Sequence, residues 1–167
     1  GDGPFTFEWD LDNDGQYDDA TGASPVFPLV GQDGIYTVGL KLTNANGFSS
    51  TDTASVTVTN VAPTVSAASD SPRPENQAVT VSGEISDPGW LDTLTATIDW
   101  DVDDATAPEA VDPSDLEEVR GGGIVSGSHA YASDGERTIE VCVEDQDGLE
   151  GCDRRVLDVV AENQAPS

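Results

Sequence analysis

One lysine, one histidine and no methionine occur among 167 residues, and 6 basic side chains stand against 33 acidic ones, giving a formal charge of -27. Such a field repels phosphates, which argues against nucleic acid and anionic membrane as partners. It favours cations, or a salt-rich medium that screens the repulsion. No apolar run approaches the roughly 18 residues of a helical membrane span, so no membrane insertion is expected. With His129 as the single imidazole, a two-histidine metal site or acid–base pair cannot be built. No serine sits in a nucleophile elbow. The glycine-rich stretch RGGGIVSG at 120–127 lacks the lysine and the following helix of a phosphate loop. Two carboxylates suffice for glycosidic chemistry, but the aspartates here fall on turns with no aromatic-lined cleft in the pattern around them. No enzyme is expected.

Long helical periods are missing as well, and alternation of period two takes their place. FTFEW puts Phe5, Phe7 and Trp9 on one face; YTVGLKLTN does so with Val38, Leu40 and Leu42, and TASVTVTN with Ala54, Val56 and Val58. QAVTVSGEI, LTATIDW, RTIEVCVED and VLDVV follow, punctuated by Gly, Asp and Pro. An all-β chain with modest cores is expected. One segment, DPSDLEEVR from Asp112 to Arg120, reads as a short helix, with Asp as cap, proline at the first position and acids in the first turn.

The alternation repeats. DGIYTVGLKLTNANG at 33–47 matches DGERTIEVCVEDQDG at 134–148 with an offset of 101, and WDLD at 9–12 matches WDVD at 100–103 with an offset of 91. The ten-residue difference implies an insertion at 105–125. NVAPT at 60–64 recurs as NQAPS at 163–167. The expected organisation is a domain over 1–60, a second over 61–162 and a linker at 163–167. The opening GDGPF reads as an interior fragment or a processed product. The first domain lacks about two strands, which leaves a sheet edge and an apolar face for a fragment boundary, or a strand from another chain, to explain. Cys142 and Cys152 flank the turn EDQDGLE, so antiparallel strands would bring them opposite each other. They are either a cross-strand disulfide, which would point to an oxidising extracellular compartment, or two buried thiols.

A strand ending in Trp-Asp, then H-x-Y-x-x-x-G, an alternating strand and D-x-x-G together resemble the PKD domain. The second copy carries these as Trp100-Asp101, His129, Tyr131, Gly135, the strand through Val143, Asp145 and Gly148. The first carries Trp9-Asp10, Gly34, YTVGLKL and Asn44 to Gly47, with Pro28 and Val30 in place of the His and Tyr. The resemblance implies two tandem immunoglobulin-like β-sandwiches. It also implies a non-catalytic extracellular or cell-surface role as spacer, adhesive unit or surface-layer component.

One stretch stands apart. WDLDNDGQYDDA, Trp9 to Ala20, crowds five acids into twelve residues. Two like charges about 4 Å apart repel by roughly 4 kcal/mol at an effective dielectric near 20. Asp10, Asp12, Asp14, Gly15 and Asp18 spell D-x-D-x-D-G-x-x-D, a spacing that aims oxygens around a tight turn at one calcium ion. Asp10, Asp12, Asp14 and Asp18 are the expected side-chain ligands, and Gln16 contributes its backbone carbonyl. Weak extracellular affinity, about 10⁻⁴–10⁻³ M, is expected. In the second copy Asp101, Asp103 and Asp104 lack the glycine and the later ligands. Asn60, Asp87, Asp92, Asp145 and Asp147 are a further set, expected at the junction of the two domains, where a second ion would stiffen it. Three roles stay open: a spacer among neighbouring repeats, a self-assembling filament or surface-layer subunit completed by strand donation, and a glycan-binding module using Trp90.

Overall fold

A computed structural model describes residues 3–28, 30–112, 115–119 and 121–162. The proposed linker at 163–167 lies outside them. Thirteen strands and no α-helix occur among the described residues, and nothing there is a helix long and apolar enough to cross a membrane. The chain divides into two compact units, Gly1–Asn60 and Val61–Ser167.

The first unit is a single antiparallel sheet. Its strands are β1 (Thr6–Asp10), β2 (Ala20–Thr21), β3 (Gly34–Thr43) and β4 (Ser49–Val58), in the order β2-β1-β3-β4. Cross-strand partners share a face. The pairs Phe7–Leu42, Trp9–Leu40, Val38–Ala54 and Tyr36–Val56 therefore collect the apolar residues on one side. Of these eight only Val38 is buried.

The second unit has β5 (Thr64–Ser69), β6 (Arg73–Pro74), β7 (Ala78–Ser86), β8 (Leu94–Asp99), β9 (Glu109–Ala110), β10 (Leu116–Val119), β11 (Gly122–Ala130), β12 (Gly135–Asp145) and β13 (Glu150–Val160). They form two sheets, β10-β11-β7-β5 and β6-β13-β12-β8-β9, antiparallel except for the short β13–β6 pair. Burial alternates residue by residue along β7, because its partner sheet covers one face only. Val79, Val81, Val125, Ile139, Val141, Val143 and Leu157 are fully enclosed between the sheets. This is an all-β, immunoglobulin-like sandwich. Two glycines set its spacing. A side chain at Gly83 would meet Val65 and Val125, and one at Gly151 would lie 2.0 Å from the Pro63 carbonyl oxygen.

The expected helix at 112–120 is corrected in its second half: Leu116–Val119 is strand β10, with Leu116 opposite Val125 and Val119 opposite Gly122, while Asp115 donates its N–H to the Asp112 carbonyl at 2.8 Å, the bond of a single tight helical turn. Residues 113, 114 and 120 lie outside the described set. So short a helix cannot sustain its own nucleation. The open edge of β11 supplies backbone partners, and Leu116 packs against the core.

The hairpins of the two units share one register. In β3–β4 the pairing runs from Gly34–Val58 to Thr43–Ser49, and in β12–β13 from Gly135–Val159 to Glu144–Glu150, a displacement of 101 at every pair. Their turns match bond for bond. Asn44 Oδ1 accepts the N–H groups of Asn46 and Phe48, both at 3.0 Å. Asp145 Oδ1 accepts those of Asp147 and Leu149, both at 2.9 Å. Gly47 and Gly148 take the same left-handed conformation, φ 82° and 81°.

The tryptophan strands do not follow the offset of 91. Asp10 pairs with Gly39, and Asp99 pairs with Glu140, the residue matching Gly39. Asp10 thus corresponds to Asp99, and Trp9 to Ile98. A two-residue slide leaves every side chain on its original face, so burial tolerates it and the Trp-Asp identity does not govern it. Trp9 donates its indole N–H to the Gly22 carbonyl at 2.8 Å. Trp100, beyond the end of β8, stacks on His129 at 5.3 Å. Tyr131 donates its hydroxyl to the Trp100 carbonyl at 2.6 Å. Burial, with Asp101 adding to it, pushes the Tyr131 phenol up to about 12.

Candidate metal sites

The acidic hairpin begins where β1 ends. Asp10 is 4% exposed; its Oδ1 accepts the Asp14 N–H at 3.2 Å and its Oδ2 the Gly15 N–H at 3.0 Å. Asp12 Oδ1 also accepts from Asp14 N–H, at 3.1 Å. Asn13 and Gly15 adopt left-handed conformations, φ 61° and 89°, which fold the loop back on Asp10. Asp19 Oδ2 accepts the N–H groups of Leu11 at 2.6 Å and Asp12 at 3.1 Å.

The carboxylates of Asp10, Asp12 and Asp19 each place an oxygen within 4.8 Å of the others. Two of the expected ligands, Asp10 and Asp12, are in this set; Asp14 and Asp18 are outside it. Asp14 turns its carboxylate onto Gln16, accepting the backbone N–H at 2.8 Å and the side-chain amide at 3.4 Å. Asp18 is exposed. Asp19 closes the group because Trp9 pairs with Ala20, which sets Asp10 and Asp19 opposite one another across the hairpin. Counting along a nine-residue motif misses this; extending the β1–β2 pairing by one step finds it. The set offers three oxygen ligands around a tight turn, the donor type a hard divalent cation takes.

A second acidic group lies at one end of the sandwich. There the β7–β8 loop, 87–93, meets the β12–β13 turn, because Leu94 pairs with Asp145. Asp87 is 4% exposed. Its Oδ1 accepts the Gly89 N–H at 2.8 Å, and its Oδ2 is buried with no hydrogen-bond partner. Asp92 Oδ1 accepts from the Gln146 side-chain amide at 3.2 Å, which ties loop to turn. Gly89 lets the carboxylates converge: a Cβ there would lie 2.0 Å from Asp92 Oδ2 and 3.3 Å from Asp87 Oδ1. Asp145 is 3% exposed. Asp147 is exposed at the tip of the turn, and Asn60 belongs to the first unit. Trp90, in the same loop, is half-buried, with its Cβ beside Gly121.

Cys142 and Cys152 are directly paired across β12 and β13 and joined as a disulfide, with Cα atoms 4.2 Å apart.

No family model matches the chain, and no curated protein matches it. Among solved structures, the PKD domain of an M14-like peptidase from a Thermoplasmatales archaeon is similar. The identity is 16% and the TM-score 0.45, over 60% of this chain and 98% of that one.

Proposed function

We propose that this chain is a non-catalytic, calcium-stabilised structural segment of an extracellular or cell-surface protein, built from two PKD-like units in tandem. The observation that carries the reading is the repeated hairpin, two units with the same pairing register and the same turn bonds. Repetition of one fold serves reach and spacing, with neighbouring repeats as natural partners. The disulfide supports an oxidising compartment, and Asp10, Asp12 and Asp19 supply the calcium ligands of the first unit.

At a Kd of about 10⁻⁴–10⁻³ M, about 10 mM calcium stabilises the folded first unit by roughly 1.4–2.7 kcal/mol. Its unfolding temperature then rises by several degrees or more. Asp12→Ala combined with Asp19→Ala removes that rise, read by calorimetry with and without chelator. A wild-type chain indifferent to calcium would sink the calcium part of the reading and leave the spacer part standing.

One observation favours a second reading, a subunit completed by a donated strand. In the second unit Asp153, on β13, accepts the Ala67 N–H of β5 at 2.9 Å. Among the described residues of the first unit its register counterpart Asp52, on β4, has no such strand beside it, and it accepts the N–H of its neighbour Thr53. Sedimentation of the chain in calcium discriminates: a donated strand yields oligomers that Asp52→Pro disrupts, and a clean monomer counts against it.

A further inference from the structure

We propose that Glu140, Cys142 and Cys152 form a site for a thiophilic divalent cation, zinc or cadmium, when the disulfide is reduced. The site is separate from the acidic hairpin and does not depend on calcium there. Two observations converge on it.

The first is geometric. Glu140 and Cys142 stand two residues apart on β12, so their side chains share one face of the strand. Cys152 lies directly opposite Cys142 on β13, and the two sulfurs and a Glu140 carboxylate oxygen all fall within 4.8 Å of one another. This face points away from the core. Glu140 is half-buried, Cys142 8% exposed and Cys152 exposed, so an ion reaches the group from solvent. Strand β12 is paired on both sides, with β13 and with β8, and its inward residues Val141 and Val143 are fully enclosed. The backbone therefore holds the two cysteines opposite each other without the S–S bond. In a tetrahedral site, Zn–S bonds of about 2.3 Å set the sulfurs roughly 3.8 Å apart. Rotation of the two side chains covers that change with the strands in place. Glu140 Oε1 accepts the Arg154 Nε–H at 2.6 Å, a bond that orients the carboxylate as outer partners of metal ligands do. Two thiolates, one carboxylate and a water make the four-coordinate shell that zinc takes.

The second comes from the repeat. One register displacement of 101 away, the first unit has Gly39, Lys41 and Thr51 at these three positions. None offers a thiolate or a carboxylate, so the hairpin forms without such donors. The second unit brings the chain's two cysteines and an acid together on one patch of the same scaffold.

Opening the site takes a dithiol reductant. It gives two electrons and two protons: the Cys142–Cys152 bond breaks, two thiols form, and the reductant's sulfurs join in a disulfide of their own. Metal binding then releases both thiol protons, because the ligands are thiolates. The bound ion occupies the sulfurs that oxidation must join, so the metal form and the disulfide form exclude each other. An oxidising compartment keeps the disulfide closed, and the metal form belongs to the chain before its oxidation.

The test reduces the whole chain with dithiothreitol, removes the reductant by anaerobic gel filtration and titrates with cadmium chloride. The readout is the thiolate-to-cadmium charge-transfer absorbance in the ultraviolet, with the oxidised chain as the blank. Saturation at one ion per chain is expected. The hairpin carboxylates give no such band, so this outcome is separate from the calcium reading. Glu140→Gln should weaken binding by about tenfold or more, and Glu140→Ala is the reporter if that variant does not fold. Amide signals of β12 should persist in the reduced, metal-free chain. Their loss on reduction overturns the proposal. So does an absent charge-transfer band, or wild-type affinity in a folded Glu140 variant.

Discussion

Leu157→Ala should lower the stability of the second unit by about 2–5 kcal/mol, the range for truncating a large aliphatic side chain in a closed core. Leu157 is 0% exposed on β13, enclosed by the sheet of β5, β7 and β11. Its counterpart in the first unit, one register displacement of 101 away, is Val56, which is only half-buried on the uncovered face. Val56→Ala should therefore cost about 1 kcal/mol or less, since little of the removed surface was out of water. Equilibrium urea unfolding, followed through amide signals of β12 and of β3, reads both units in one sample. Equal losses at the two positions would mean that the first unit's face is covered in solution.

Reducing the disulfide, or replacing it by Cys142→Ser with Cys152→Ser, should destabilise the second unit by roughly 2.5–3 kcal/mol, the entropy of closing a loop of about ten residues. Cys142 lies between Val141 and Val143 on β12, and both neighbours point into the core at 0% exposure. The cysteines therefore stand on the face opposite the core, Cys152 exposed and Cys142 8% exposed, and neither fills the space between the sheets. The first unit supplies the control: the matching pair is Lys41 and Thr51, held by backbone pairing alone. A urea midpoint that falls for β12 and stays fixed for β3 is the expected outcome. An unchanged midpoint for both would show that β12–β13 pairing is already saturated by the sandwich.

Much of the fold was legible because a strand half-covered by its neighbours advertises itself every second residue. The alternation of β7, the β12–β13 hairpin and the pairing of Cys142 with Cys152 all follow from period two and a turn of Asp and Gly. Leu116–Val119 form a strand where the sequence predicts helix because caps and propensity are weak local preferences. An unpaired edge of β11 outweighs them once the sandwich has formed. The match between Trp9 and Trp100 misled for a different reason. Residue identity suggested equivalence, whereas pairing with β3 and β12 set it two residues away.

The candidate sites divide along the same line. Asp10 and Asp12 could be read from spacing, since both lie on one continuous turn. Asp19 needed the register of β1 against β2. Asp87 and Asp145 were visible as acidic loop residues, but their burial was not. The lack of a partner at Asp87 Oδ2 and the room made by Gly89 were equally hidden. The sequence alone determined strands, inward faces, turns and the excess of negative charge, because each depends on neighbours a few residues apart. Only the tertiary structure decided which carboxylates converge and which are enclosed. Convergence is set by pairing between distant strands, and the cost of a buried charge by whatever those strands close over it.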